Sequence, residues 1–266
     1  MYNDNMQQIS SSSNKTIKWV KKLSCDQKQR KIEKFVVGET KKVFCTLCEI
    51  KKQKFIKIFV TKKFFENNQV LLKKFTNILI ILNDYLFKKI SNLKSPDGII
   101  FVAPLEITKL NFKKDGNYFA VVDLQNPNNL GAIIRSIFAF GIDGLFLIGN
   151  CVDIFHPEVI RASMGYVFQI PLMFFKEFYS FLKFGKNNKI NLLALANKKN
   201  ALALNKYKIK TNNCFLLGNE GNGLKKEMIN QCHQTLKIEI ENVESLNVIA
   251  VASIISYYLK YENNKN

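Results

Sequence analysis

Three short stretches of this chain combine amide, carboxylate and guanidinium side chains with glycine: NLGAIIRSIFAFG at 129–141, LLGNEGNGL at 216–224 and ESLNVIAVASIISYYL at 244–259. In the first, Arg135 is the lone charge among Ile133, Ile134, Ile137 and Phe138. A guanidinium there must find an anion in a partly desolvated place, which a ligand phosphate or a carboxylate of a partner subunit would supply. In the second, the glycines suit a tight turn, and equally a backbone that approaches a ligand closely. In the third, Ser245 or Asn247 can cap the apolar helix that follows, and the same groups can face a ligand.

Other chemistries lack their parts. No GxGxxG follows the first strand of the second half and no GK[ST] occurs, so the phosphate cradles of dinucleotide- and NTP-binding folds are missing. His156 and His233 lie in unrelated segments without HExxH, and Ser163 in RASMG lacks the GxSxG elbow, which disfavours zinc and serine hydrolases. Cys45 and Cys48 form a CxxC inside a helical pattern with no second pair at metal-ligand spacing, and read as ordinary helix cysteines. The expected site holds no metal.

The elements that must position these groups alternate. Short apolar strands are expected at 118–123, 145–148, 167–170, 191–196, 214–217 and 236–240, with helices near 129–140, 157–164, 174–184, 223–232 and 246–261. This is the pattern of an α/β domain whose parallel sheet is covered on both faces. Ligands on such sheets bind beyond the carboxyl ends of strands, where residues 124–129 and 218–224 fall. Asn128 or Asn129 can cap the helix after the first strand, and Gly141 can provide its left-handed exit. Upstream, Val43, Phe44, Leu47 and Ile50 have helical spacing, FIKIFVT is β-rich, ILIIL is a buried strand, and Asn83 or Asp84 can cap a helix through Ile90. The expected organisation is a disordered basic leader at 1–24, a small α/β domain at 25–112, a linker at 113–117 and a second domain at 118–266.

With 266 residues, 47% of them hydrophobic, the chain can build one large core or two modest ones. Its net charge of +19 favours a polyanionic partner, although an A+T-rich genome would inflate lysine without any partner. Six dispersed cysteines in so apolar a chain point to a reducing compartment rather than a disulfide framework. The first residues lack a secretory apolar core, and no apolar run approaches the roughly 20 residues that span a bilayer. A cytoplasmic protein with no membrane partner is expected.

Taken together and in this order, the three stretches resemble motifs 1, 2 and 3 of the SpoU, or TrmH, family of SPOUT methyltransferases, and HPEVIRASMGYVFQIPL resembles the segment between the first two. The likeness runs from about residue 118 to the end. Residues 35–104, from FVVGETKKV to SPDGIIFVAP, resemble the substrate-binding N-terminal domain of the ribosomal RNA members, with the family's usual Glu-Gly order reversed as Gly38-Glu39. The resemblance implies a SPOUT domain with a trefoil knot, a homodimer, and S-adenosylmethionine-dependent methylation of a ribose 2'-hydroxyl in RNA. Ribosomal RNA is favoured over transfer RNA; the alternatives are a transfer RNA enzyme, a base methyltransferase and a non-catalytic assembly factor. By the same resemblance, Asn129, Arg135, Glu220, Ser245 and Asn247 form the catalytic centre, and Leu217, Gly218, Asn219, Ile238, Ile240 and Leu246 surround the cofactor. One departure stands out: KIEIENVE precedes SLN where the family has Ile-Pro-Met and a glycine.

Overall fold

The computed structural model describes residues 7–50 and 54–262, which divide into two compact units. The first comprises the described residues up to Glu106 together with Phe155–Gly165; the second comprises Ile107–Ile154 and the described residues from Tyr166 onward.

The first unit runs β1 (Gln7–Ile9), α1 (Lys15–Cys25), α2 (Gln27–Glu33), β2 (Phe35–Glu39), α3 (Lys41–Glu49), β3 (Lys57–Thr61), α4 (Lys62–Asn67), α5 (Gln69–Leu72), β4 (Leu79–Leu82), α6 (Asp84–Ile90) and β5 (Ile99–Pro104). Its sheet has the order β1-β4-β3-β5-β2, with only β5 antiparallel to its neighbours. Val20, Leu23, Val37, Phe59, Phe87 and Ile100 are among the side chains of its core.

The leader is not disordered over its described part. Gln7 to Ile9 pair in register with Ile80 to Leu82 of β4, and Ile9 is buried. Asn14 starts α1 by accepting a hydrogen bond from the Thr16 amide at 2.8 Å. Ile17, Val20 and Leu23, three apart, then go into the core. The serines and lysines between them outweigh this stripe in composition but not in energy, since each buried aliphatic side chain contributes roughly 1.5–3 kcal/mol. Residues 1–6 lie outside the described residues.

The chain continues with β6 (Asn117–Val122), α7 (Pro127–Ala139), β7 (Gly144–Ile148), α8 (Pro157–Ala162), β8 (Leu172–Phe175), α9 (Phe178–Asn187), β9 (Asn191–Leu195), β10 (Leu202–Ala203), β11 (Asn213–Leu217), α10 (Lys226–Asn230), β12 (Gln234–Lys237) and α11 (Val248–Glu262). Seven parallel strands form one sheet in the order β10-β12-β9-β11-β6-β7-β8. Tyr118, Phe146, Phe181, Leu192 and Leu216 lie in its core.

Several expected boundaries move. The boundary between units falls at 106/107 rather than in a linker at 113–117, because Leu110 is buried, its amide donates to Leu172 at 3.1 Å, and the Tyr118 hydroxyl donates to the Lys113 carbonyl at 2.9 Å. Helix α8, expected in the second domain, folds with the first unit, where it packs on β2. The apolar run at 167–170 is a buried 3₁₀ turn at Tyr166–Phe168 rather than a strand; β8 begins only after Pro171, whose ring nitrogen has no hydrogen to give a ladder. The helix expected at 174–184 starts four residues later, the one at 223–232 contracts to α10, and the last strand ends at Lys237, so that 238–247 is loop.

Candidate active site

The site forms at the carboxyl ends of β6, β9, β11 and β12, and its geometry begins with the entry to α7. Asn126 caps this helix: its side-chain oxygen accepts from the amides of Asn128 at 2.9 Å and Asn129 at 3.2 Å, with Pro127 in the first turn, where a missing N–H costs nothing. The cap is therefore Asn126, not Asn128 or Asn129, and this leaves the Asn129 side chain available. Its Nδ2 donates to Glu220 Oε1 at 3.1 Å, and the Asn126 amide donates to the same oxygen at 3.1 Å.

Glu220 belongs to a loop that folds back on itself. Asn219 ties it down, donating from Nδ2 to the Asp123 carbonyl at 2.9 Å and accepting the Gly221 amide on Oδ1 at 2.9 Å, while the Gly223 amide donates to the Asn219 carbonyl at 2.9 Å. A Cβ on Gly218 would stand 2.1 Å from the carbonyl carbon of Gly223 and 2.3 Å from the Leu224 nitrogen, so the return of the loop requires glycine there. Gly223 itself has φ +63°, the left-handed region that other residues enter at a cost.

Beside this loop lies a cavity of about 670 Å³. Asn129, Leu217, Gly218, Asn219, Glu220, Ile238, Ile240, Ser245, Leu246 and Asn247 all line it, which brings together every residue that the family resemblance assigned to the catalytic centre or the cofactor except Arg135. Leu195 at the end of β9 and Ala196, Asn197 and Lys198 after it line the cavity as well, with Leu236, Lys237, Val248 and Val251. The segment after β9 was within reach of the rule that ligands sit beyond strand ends, but it carries no glycine, and its Lys198-Lys199 pair does not stand out in so lysine-rich a chain. Asn197 donates to the Glu244 carbonyl at 2.8 Å, joining this segment to the loop before α11. Asn247 accepts the Ala250 amide at 2.7 Å and so serves as a helix cap while its residue borders the cavity.

Burial raises the Glu220 carboxyl, but hydrogen bonds from its own amide, the Asn129 side chain and the amides of Asn126 and Gln125 outweigh that, and its pKa lies below the ordinary glutamate value. At neutral pH it is a carboxylate, and its Oε1 accepts from both Asn126 and Asn129.

Arg135 is placed differently. It is exposed, and no hydrogen bond or ion pair engages it among the described residues, so the desolvated setting expected for it does not exist within one chain. Helical geometry explains this: six residues after Asn129 it stands about 9 Å further along the axis and about 120° around it. Ile133, Ile134 and Ile137 take the buried side. On the outer side α7 packs against α11 through the Ser136–Ser253 hydroxyl pair at 2.9 Å and the Phe140–Tyr257 edge contact, with Ile254, Tyr257 and Tyr261 exposed.

Residues 116–258 match the model of the SpoU rRNA Methylase family. The chain belongs to that family. Among curated relatives of this SpoU member, rRNA methyltransferase 1, mitochondrial, of Dictyostelium discoideum is 29% identical over 158 residues, covering 57% of this chain and 30% of the relative. This chain thus spans less than a third of that relative's length. The 23S rRNA (guanosine(2553)-2'-O)-methyltransferase RlmP of Bacillus subtilis is 24% identical over 257 residues, 96% of this chain and 100% of the relative. The fold is that of the SpoU methyltransferase AviRb from Streptomyces viridochromogenes in complex with the cofactor AdoMet, at TM-score 0.81 and 18% identity over 95% of this chain and 100% of that one.

Proposed function

We propose that this SpoU family member transfers a methyl group from S-adenosylmethionine to a ribose 2'-hydroxyl in ribosomal RNA, acting as a soluble cytoplasmic homodimer whose site is completed by a second copy. The observation that carries the reading is the convergence of all three motifs on one cavity, which an exposed Arg135 does not line. The end-to-end match to a relative named as a 23S rRNA 2'-O-methyltransferase supports the substrate class. Among the described residues no helix is long and apolar enough to cross a membrane.

The lining fits the cofactor. Backbone amides and carbonyls of the glycine loop and of residues 238–247 can fix an adenine edge, and Leu195, Leu217, Leu236 and Val251 offer it an apolar slot. The departure from the family before SLN leaves this intact, because Ile238, Ile240 and Leu246 still line the cavity. When bound, S-adenosylmethionine supplies a methyl already activated by its sulfonium. What remains for the chain is positioning and easing loss of the hydroxyl proton.

Its lowered pKa makes Glu220 a weaker base than an ordinary glutamate, and its role in this reading is to orient Asn129 and hold the entry of α7 against the glycine loop. The guanidinium that holds the RNA phosphate and stabilises the developing alkoxide is Arg135 of a second copy, brought across by the exposed face of α7 and α11. A symmetric pair would meet through this face, where Ile254, Tyr257 and Tyr261 are exposed. A trefoil knot belongs to the same reading; it is supported by β12, which enters the sheet between β10 and β9 although both precede it in sequence.

Transfer of labelled methyl to purified unmodified ribosomal RNA and, separately, transfer RNA tests the reading. Label in a 2'-O-methylnucleoside from ribosomal RNA is expected. Label in a methylated base, or in the transfer RNA pool alone, would overturn the reaction or the substrate respectively.

A further inference from the structure

The chain leaves β6 through a strained residue. Asp123, the first beyond the strand, has φ +52°, the left-handed region that a residue with a Cβ enters at a cost. Aspartate and asparagine enter it more readily than other such residues, because their short side chains can bond nearby backbone. Asp123 does so, and its backbone is used as well. Its Oδ1 accepts the Asn150 amide at 2.8 Å, in the turn that follows β7, while its carbonyl accepts from Asn219 Nδ2 at 2.9 Å.

The surroundings hold that carboxylate in place. A Cβ on Gly149 would stand 2.3 Å from Asp123 Oδ1, so glycine there leaves the oxygen its room. The Asp123 amide donates to the Ile148 carbonyl at 3.1 Å, the Val152 amide to the Leu124 carbonyl at 2.8 Å, and Gln125 Nε2 to the Asn150 carbonyl, which joins the turns after β6 and β7. On the opposite side the ladder between β6 and β11 ends at Val121 and Leu217. Beyond that point the Asn219 side chain makes the connection, and the other groups of Asn219 hold the Gly221 and Gly223 amides on either side of the turn that carries Glu220.

We propose that Asp123 is a positioning residue for methyl transfer: anchored by the Asn150 amide, its left-handed backbone aims the carbonyl at Asn219 and thereby sets the cavity wall at 218–224. The proposal rests on the methyltransferase reading for what the cavity binds. Asp123 does not line the cavity and acts through Asn219, which does. Without the carboxylate the peptide after Asp123 is free to turn, Asn219 loses its fixed acceptor, and the loop that carries Glu220 to Asn129 loosens.

The test uses the full chain and two readouts. Asp123→Gly removes the carboxylate while leaving the left-handed backbone free of steric cost, and Asp123→Asn keeps both an oxygen for the Asn150 amide and a residue type at ease with positive φ. In calorimetric titration with S-adenosylhomocysteine, affinity is expected to fall about tenfold in Asp123→Gly, the order of one hydrogen bond to a charged group, and to stay within about threefold of the parent in Asp123→Asn. Asn219→Ala and the double variant Asp123→Gly/Asn219→Ala should then bind alike, because a residue that acts through Asn219 has nothing left to act on. Without ligand, hydrogen exchange of the Asn219 side-chain amide is followed by NMR on asparagine-labelled chain, its resonance identified by its absence in Asn219→Ala. It should be about tenfold faster in Asp123→Gly than in the parent, and close to the parent in Asp123→Asn. Losses that multiply in the double variant, or an Asn219 amide as protected in Asp123→Gly as in the parent, would overturn the role of Asp123 and leave the methyltransferase reading standing. A parent chain that binds no S-adenosylhomocysteine would overturn that reading, and the amide exchange would still decide whether Asp123 sets Asn219.

Discussion

Three glycines of one loop make a graded test of how the cavity proposed for the cofactor is built. An added Cβ at Gly218 would lie 2.1 Å from the Gly223 carbonyl carbon, 2.3 Å from the Leu224 nitrogen and 2.5 Å from the Gly223 oxygen, all backbone atoms that no side-chain rotation can clear. At Gly223 there is open space but φ is +63°, and at Gly221 the new carbon would meet only Asn219 Oδ1, at an ordinary 3.6 Å. Gly218→Ala must therefore part the loop, at a cost of roughly 1–3 kcal/mol. Gly223→Ala bears only the left-handed backbone, roughly 1–2 kcal/mol, and Gly221→Ala stays within about 0.5 kcal/mol as an exposed substitution away from strain. At about 2–4 °C per kcal/mol, melting should fall by several degrees for the first two and barely for the third. Calorimetric titration with S-adenosylhomocysteine separates the first two: affinity should fall more than tenfold in Gly218→Ala, whose cavity wall has moved, and only a few-fold in Gly223→Ala. If Gly218→Ala melted and bound like Gly221→Ala, the loop would not close on itself as described.

The Asn126→Ala variant removes both cap hydrogen bonds of α7 and should cost about 1 kcal/mol, read as a fall of a few degrees in melting temperature, with Asn126→Asp close to the parent. Glu220 has a lowered pKa in the fold, so its ionised form stabilises the fold above the ordinary value of about 4.5, and that contribution is lost as pH falls through the lowered one. The stability difference between parent and Glu220→Gln should be constant from pH 6 to 9 and shrink below about pH 4.5, while the pH profiles of transfer keep one shape. A profile that loses an ionisation in Glu220→Gln would make this carboxylate the base. Burial pushes the Cys48 thiol up to about 11 and the Cys232 thiol up to about 12, so both should react slowly with a disulfide reagent at pH 8 while exposed Cys25 reacts first.

How much of this was legible in the sequence depended on whether the signal was local. The strands of the parallel sheet could be read as short apolar runs, and the site loops because glycine and asparagine after a strand leave few other uses. The cap at Asn126 was missed because three asparagines in four residues give the same local signal, and only the pull of Glu220, more than ninety residues away, decides among them. Pro171 was the overlooked mark between the turn at 166–168 and β8. The ordering of residues 7–25 depends on β4, some seventy residues on, which no composition reading of a serine-rich stretch can see. For Arg135 the residue type suggested an anion in a partly desolvated place, whereas within one chain the side chain is exposed and, among the described residues, unengaged, because six residues from Asn129 is the wrong helical phase to share a cavity.

That phase is also what makes the proposed composite site directly testable by mixing copies. Asn129→Ala/Glu220→Gln and Arg135→Ala, each prepared alone, should both lose ribosomal RNA methylation. When the two chains are co-expressed with different tags and assemble at random, half the dimers are mixed, and each mixed dimer carries one intact site built from the arginine of the first chain and the cavity of the second; about a quarter of parental activity should return. Activity that stays at the average of the two parents, or an Arg135→Ala chain as active as the original, would contradict a site shared between copies.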